Sequence, residues 1–211
     1  MSQKRRRINP YTKPSKRILV CSSITALYAI GRRQEAARIL RDGLERLKIP
    51  RAMFSELFLH LSLLLGFPAM LDGFEMLLVL KPLEKQPGSP HPRRLHTRRG
   101  GLAILSRIYG NQTKRLLRRL DELHPELPAR IVEDAYGRIV SRAGLSLRER
   151  EIVSVVALAL GGYRRQLYSH VRGALRVGVP PRTLGSVLTA VERLTGRDLE
   201  FAKDILRMLT A

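Results

Sequence analysis

The 211-residue sequence contains no tryptophan, a single cysteine and only 5% aromatic residues. One cysteine, Cys21, excludes an intrachain disulfide and any multi-cysteine zinc site, and its place in an apolar helical pattern reads as a buried, inert thiol. Few aromatics leave few of the stacking platforms on which single-stranded nucleic acids are held. An uninterrupted apolar run is also missing. The longest apolar stretch, Met53 to Leu80, holds Glu56, His60, Asp72 and Glu75 and is broken at Gly66-Phe67-Pro68, so it is not read as a continuous membrane span of about 20 residues. The N-terminus is basic and contains proline, and the first apolar run begins at Ile18, which does not fit a signal peptide. A cytoplasmic protein without membrane association is expected.

Acidic residues are scarce as well: 18 Asp and Glu stand against 39 Lys and Arg, a net charge of +21. Residues 1–17 hold seven basic residues (Lys4, Arg5, Arg6, Arg7, Lys13, Lys16, Arg17) and no acid, and residues 81–100 carry a further +5. More than half of the excess therefore sits in two short segments. Such a field attracts phosphate-rich polymers or small acids, so nucleic acid is a candidate partner through the basic tail, although the same tail serves equally as a solubilising arm.

What the sequence does have is helical periodicity. Residues 1–16 read as a basic flexible tail. An apolar helix follows over 17–29, and then a helix over 33–48 with Ala36, Ile39, Leu40, Leu44 and Leu47 on one face. Pro50 opens a third helix that closes at Gly66, and Pro68 opens a fourth to about Leu80, the expected placing of proline early and glycine late. Residues 17–81 thus form a first helical repeat. The stretch 82–100, with four prolines and two glycines, reads as a linker, with His91 and His96 solvated. Lead-in helices occupy 101–145. Ser146-Leu147-Arg148-Glu149 has the spacing of a capping box and should start the helix that opens the second repeat, 146–211. No alternating strand pattern is present, so the fold class is all-α.

A shift of 130 residues superimposes Gly31 on Gly161, Gly43 on Gly173, Ile49-Pro50 on Val179-Pro180 and Gly66 on Gly196. Because glycine and proline mark turns and caps, their recurrence implies recurring helix lengths and connections. Two divergent repeats packed about a pseudo-twofold axis are expected, each burying the apolar face that the other would expose.

Glu151, the Ala/Val-rich helix after it, Gly161-Gly162, and then Gln166-Leu167, His170, Gly173-Ala174 and Gly178-Val179 resemble the carboxymuconolactone decarboxylase and alkylhydroperoxidase-D-like family. His124-Pro125-Glu126-Leu127 and Ala135-Tyr136-Gly137 are similar to its lead-in helices, and Glu56 to His60 with Gly66-Phe67-Pro68-Ala69 to its later segment. Peroxide-reducing relatives carry a Glu, a CxxC pair and a His on successive turns. Here Tyr163 and Gln166 stand at the two cysteine positions and His170 at the histidine position, and neither replacement can form a thiolate. The resemblance thus implies the decarboxylase branch rather than a thiol peroxidase, with no cofactor.

Glu and His suit acid/base work on a small anionic lactone or carboxylate. The candidate catalytic residues are His170 as acid/base, Glu151 and Glu56 to orient or tune it, and His60 opposite. Tyr163 and Gln166 are candidate substrate-binding residues lining the same cavity. Each repeat holds half of the polar set, so a composite site between the repeats is expected. The bland alternative is that Glu56/His60 is an ordinary i, i+4 helix pair and that Glu151 pairs with Arg148 or Arg150. Two histidines without a third close ligand give no metal site. The competing function is a non-catalytic helical module that binds nucleic acid or an acidic partner through its basic tail and linker. The family resemblance also implies a homo-oligomer.

Overall fold

Ser15 ends an extended approach and turns the chain into a helix: its hydroxyl accepts from the Ile18 amide, and α1 runs Lys16–Ala29. The computed structural model describes residues 13–81 and 98–211. Lys4 to Arg7 of the basic tail, and the linker residues 82–97 with His91 and His96, lie outside the described residues. After α1 come α2 (Arg33–Glu45), α3 (Arg51–Leu80), α4 (Arg98–Tyr109), α5 (Thr113–Leu123) and the short α6 (Leu127–Ala129). A wide π-type helix (Arg130–Val140) follows, then α7 (Leu147–Leu160), α8 (Arg164–Arg176), α9 (Pro181–Thr195) and α10 (Glu200–Thr210). The described residues are helical and contain no strand. Helix α4 starts at Arg98, inside the stretch read from sequence as linker.

Two helices form the centre. α1 and α7 pack against each other, and α7 is buried on every side from Arg150 to Ala159. A helix apolar all round belongs in the middle of a core, and this explains why the alanine- and valine-rich run of α7 has no solvent face. Around the pair, Leu40 and Leu44 of α2, Phe54, Leu57 and Leu61 of α3, Leu167 and Val171 of α8 and Leu184 and Val187 of α9 complete one apolar cluster. A smaller cluster joins α4 to the wide helix through Leu105, Ile108, Val132, Tyr136 and Val140.

The caps and turns around α1 and α7 share the same hydrogen bonds. Ser146 caps α7 as Ser15 caps α1, with the full reciprocal capping box to Glu149. In the turn after α1, Arg32 N bonds Leu27 O, Gly31 N bonds Tyr28 O and Arg33 N bonds Gly31 O; after α7, Tyr163 N bonds Leu158 O, Gly162 N bonds Ala159 O and Arg164 N bonds Gly162 O. The offset is 131, not 130, so Gly31 (φ 79°) corresponds to Gly162 (φ 72°). Past α2 and α8 the offset becomes 130: Ile49 N bonds Gly43 O where Val179 N bonds Ala174 O, and Pro50 and Pro180 both cap in extended geometry. The stretch from Gly31 to Ile49 is therefore one residue longer than the stretch from Gly162 to Val179, the extra residue lying at the end of α2. Lys48 takes φ 53° there, at the place of Gly178, a conformation a side chain tolerates poorly.

Gly66, at φ 83° and ψ 172°, breaks α3 into two helices where the sequence places the break. By length and composition α3 is the one helix among the described residues able to cross a membrane. That length counts both sides of the break at Gly66, which divides α3 into two shorter helices, as the sequence implied. In the fold, Met53, Phe54, Leu57, Phe58 and Leu61 of its first half are buried in the protein core.

The tightest glycine among the described residues lies in the lead-in helices, where a Cβ on Gly101 would fall 1.9 Å from the Val132 carbonyl oxygen. Gly101→Ala is expected to cost about 1–3 kcal/mol, seen as a lower urea midpoint. An unchanged midpoint would mean that α4 and the wide helix do not cross this closely.

Candidate functional site

α7 enters the core with three polar residues on its first two turns, Arg150, Glu151 and Ser154, and all three are buried. Burial of such groups is unfavourable unless each finds a partner, and helices on different sides supply them. From α8, one turn before Gly173, His170 reaches across, its Nδ1–H donating to Glu151 Oε2 at 3.1 Å. The contact depends on Gly173: a Cβ there would lie 2.7 Å from Glu151 Oε2 and 2.7 Å from Ile108 Cγ2 of α4. A glycine that makes room for a carboxylate is a packing requirement, not a flexibility device.

From α3, Glu56 and His60 approach the same stretch of α7. Arg142, in the loop before α7, grips Glu56 with two nitrogens, Nε at 2.9 Å and Nη2 at 2.8 Å from Oε1. Arg150 adds Nη2 to Glu56 Oε2 at 3.0 Å and also donates to the Arg142 carbonyl. His60 Nε2 lies 3.0 Å from Ser154 Oγ. The arrangement is thus two pairings on one helix: Glu151 with His170, and Arg150 and Ser154 with Glu56 and His60. Glu56 does not touch His170; its carboxylate is occupied by two guanidinium groups. Glu151 pairs with His170, while Arg150 goes to Glu56 and Arg148 to the Val177 carbonyl.

The two histidines titrate in opposite senses. Burial pushes His60 well below the usual histidine value, and the positive charges of Arg150 and His170 add to this, so His60 is neutral. Burial pushes His170 down too, but the charge of Glu151 and its hydrogen bond outweigh it and the net direction is up. The His170 side chain is 18% exposed against 3% for Glu151, so the imidazole has one edge toward solvent while its partner has none. That combination can hold a proton and pass it to a group arriving from outside.

Tyr109 of α4 and Tyr136 of the wide helix face the same carboxylate. The Tyr136 hydroxyl donates to Tyr109 Oη at 3.4 Å. Burial raises both phenols, and the negative charge of Glu151 raises them further, so both remain protonated donors at neutral pH. Tyr163 and Gln166 are exposed: Tyr163 caps α8 with its ring turned back over Gly161, at 2.7 Å from where a Cβ would stand. Gln166 lies one turn before His170 on α8, and no cavity lined by Tyr163 and Gln166 is seen among the described residues. Cys21 is fully buried, and burial with the nearby Glu149 pushes its thiol up to about 12.

Residues 125–202 match the Carboxymuconolactone decarboxylase family. This segment belongs to that family. It runs from just before α6 to the start of α10 and contains Glu151, His170, Tyr136, Tyr163 and Gln166. No curated protein matches the chain.

Arg142, Arg150 and Ser154 were not read from the sequence as site residues. A signal existed for two of them: Arg150 adjoins Glu151, and Ser154 is the one hydroxyl in an otherwise apolar run. Arg142 carries no local signal, because its importance comes from Glu56, 86 residues away.

The raised pKa of His170 links to stability with a definite sign. Its contribution is fully present below the ordinary value of 6.5 and is lost as pH rises through the higher folded-state value. Glu151→Gln is therefore expected to destabilise by about 1.5–3 kcal/mol at about pH 6 and by less at about pH 9, measured by chemical denaturation. His60 acts in the opposite sense: with its folded pKa depressed, it lowers stability as pH falls below 6.5, and His60→Gln should flatten that acid limb. Equal losses for Glu151→Gln at both pH values would contradict the Glu151–His170 pairing.

Proposed function

We propose that the protein is a carboxymuconolactone decarboxylase-like enzyme performing cofactor-independent acid/base chemistry on a small anionic lactone or carboxylate. The observation that carries this reading is the Glu151–His170 pair: a proton-holding imidazole with a solvent-facing edge, backed by a buried carboxylate. Loss of carbon dioxide from a carboxylated lactone breaks the carbon–carboxyl bond and leaves its electron pair on the ring as an enolate. The enolate carbon then needs a proton, which His170 can deliver, with Glu151 stabilising the imidazolium. Thiol peroxidase chemistry does not fit, since Tyr163 and Gln166 replace the reactive cysteines and Cys21 is buried with its proton firmly held. The two halves are read as divergent copies about a pseudo-twofold axis, supported by the shared turn hydrogen bonds and the α1–α7 pairing.

The enzyme reading is tested by following consumption of carboxylated γ-lactones with release of carbon dioxide. His170→Ala is expected to lower turnover by about 10²–10⁴-fold. Turnover that survives this change intact would remove His170 from the chemistry.

The competing reading, a non-catalytic module for nucleic acid or an acidic partner, has support from α5, where Lys114, Arg115, Arg118 and Arg119 are all exposed on a strongly amphipathic helix. Salt-dependent retention of a DNA duplex with no lactone turnover would favour it.

Self-association is part of the proposal. Phe67, Leu71 and Leu78 form an i, i+4, i+11 stripe on the second half of α3 and are 70%, 56% and 50% exposed. The corresponding helix of the second copy, α10, presents Glu200, Asp204 and Arg207 to solvent instead. An apolar stripe of this kind marks an interaction surface. Light scattering should give a mass above 23.9 kDa for the native chain and a monomer for Leu71→Glu; a monomeric native chain would reject the assembly.

A further inference from the structure

Charge around Glu56 does not balance. One carboxylate serves two guanidinium groups, those of Arg142 and Arg150. Arg142 is 26% exposed and can share its charge with water, whereas the Arg150 side chain is 0% exposed. Within the described residues the Nε and Nη1 of Arg150 have no hydrogen-bond partner. Two buried nitrogens of Arg150 are thus left over between α3 and α7, where Ser154 also lies and where His60 is near the Arg150 backbone.

An arginine half-used in a core is expensive. A buried cation needs its charge matched and its N–H groups satisfied, and each unmet donor costs about 1–3 kcal/mol. Here the one carboxylate in reach is already claimed bidentately by Arg142. Nothing in the local sequence forces this: α7 could place leucine at position 150 and bury it at no such cost. The remaining Arg150 donors point to a ligand carrying negative charge and lone pairs, small enough to fit between packed helices. Neutral His60 fits beside it, because it adds no second charge. Glu151 cannot supply the missing charge to these atoms while it is committed to His170.

We infer that Arg150, with His60 and Ser154, forms an internal binding site for a small monoanion, a halide or a compact carboxylate group, distinct from the Glu151–His170 pair. The site does not rest on the enzyme reading. It would tie α3 of the first half to α7 of the second by an ion held in common, and occupancy would stabilise the joint between the halves.

The probe is bromide. Crystals of the full chain soaked in sodium bromide should show an anomalous peak within hydrogen-bond distance of Arg150 Nε or Nη1. In solution, replacing sodium gluconate by sodium bromide at constant ionic strength should raise the melting temperature by about 2–4 °C. The rise should vanish in Arg150→Met. Should that variant fail to fold, Glu56→Gln serves instead: by removing the competing carboxylate it should increase the bromide-dependent rise. Adding acetate separates the two sources of anion: loss of the bromine peak assigns the site to carboxylates as well, and a persistent peak restricts it to halides. A water molecule at Arg150 in bromide-soaked crystals, with bromine peaks confined to the surface and no bromide dependence in Glu56→Gln, would overturn the site.

Discussion

The first two turns of α7 carry the constraint on which the rest depends. A helix buried on all sides has to present Arg150, Glu151 and Ser154 to a core, and the surrounding helices are arranged to answer each of them. α8 brings His170 to Glu151, α3 brings Glu56 to Arg150 and His60 to Ser154, and the loop before α7 brings Arg142. Buried polar contacts contribute modestly to net stability, yet they are costly to misplace. They therefore fix the register of α3 and α8 against α7 more strictly than leucine contacts alone would.

That constraint also separates the two histidines. They lie on helices from different halves and close enough for the charge of His170 to depress His60, but one is paired with a carboxylate and the other with a hydroxyl beside a guanidinium. The same imidazole group thus holds its proton more firmly on α8 and stays neutral on α3. Environments that push like groups apart in pKa are the usual means by which a fold assigns acid/base roles.

Much of this was legible in the residues. The break at Gly66, the capping box at Ser146 and the recurrence of glycine and proline follow from backbone chemistry that is local, and local signals survive in one sequence. The offset between matching turns was legible only to within one residue: glycine matching favoured a constant 130, whereas the turn hydrogen bonds match at 131 until the end of α2, where Lys48 takes up an extra residue. Glu151 and His170 were found through family spacing, and they do meet. The partner of Glu56 was not legible, since Arg142 lies in a loop without periodicity and its contact spans 86 residues. Tyr163 and Gln166 are exposed at the start of α8, and spacing alone could not tell an exposed position there from one lining a cavity.

Through Glu151, α7 holds the His170 proton more tightly than usual while His60 stays neutral. Imidazole nitrogen and carbon-bound proton shifts, followed by NMR from about pH 5 to pH 9, read it directly. His170 should titrate above the ordinary value of 6.5, with a protected Nδ1 proton, and His60 should show no protonation across that range. Two histidines titrating together near the ordinary value, or His60 protonating first, would contradict it.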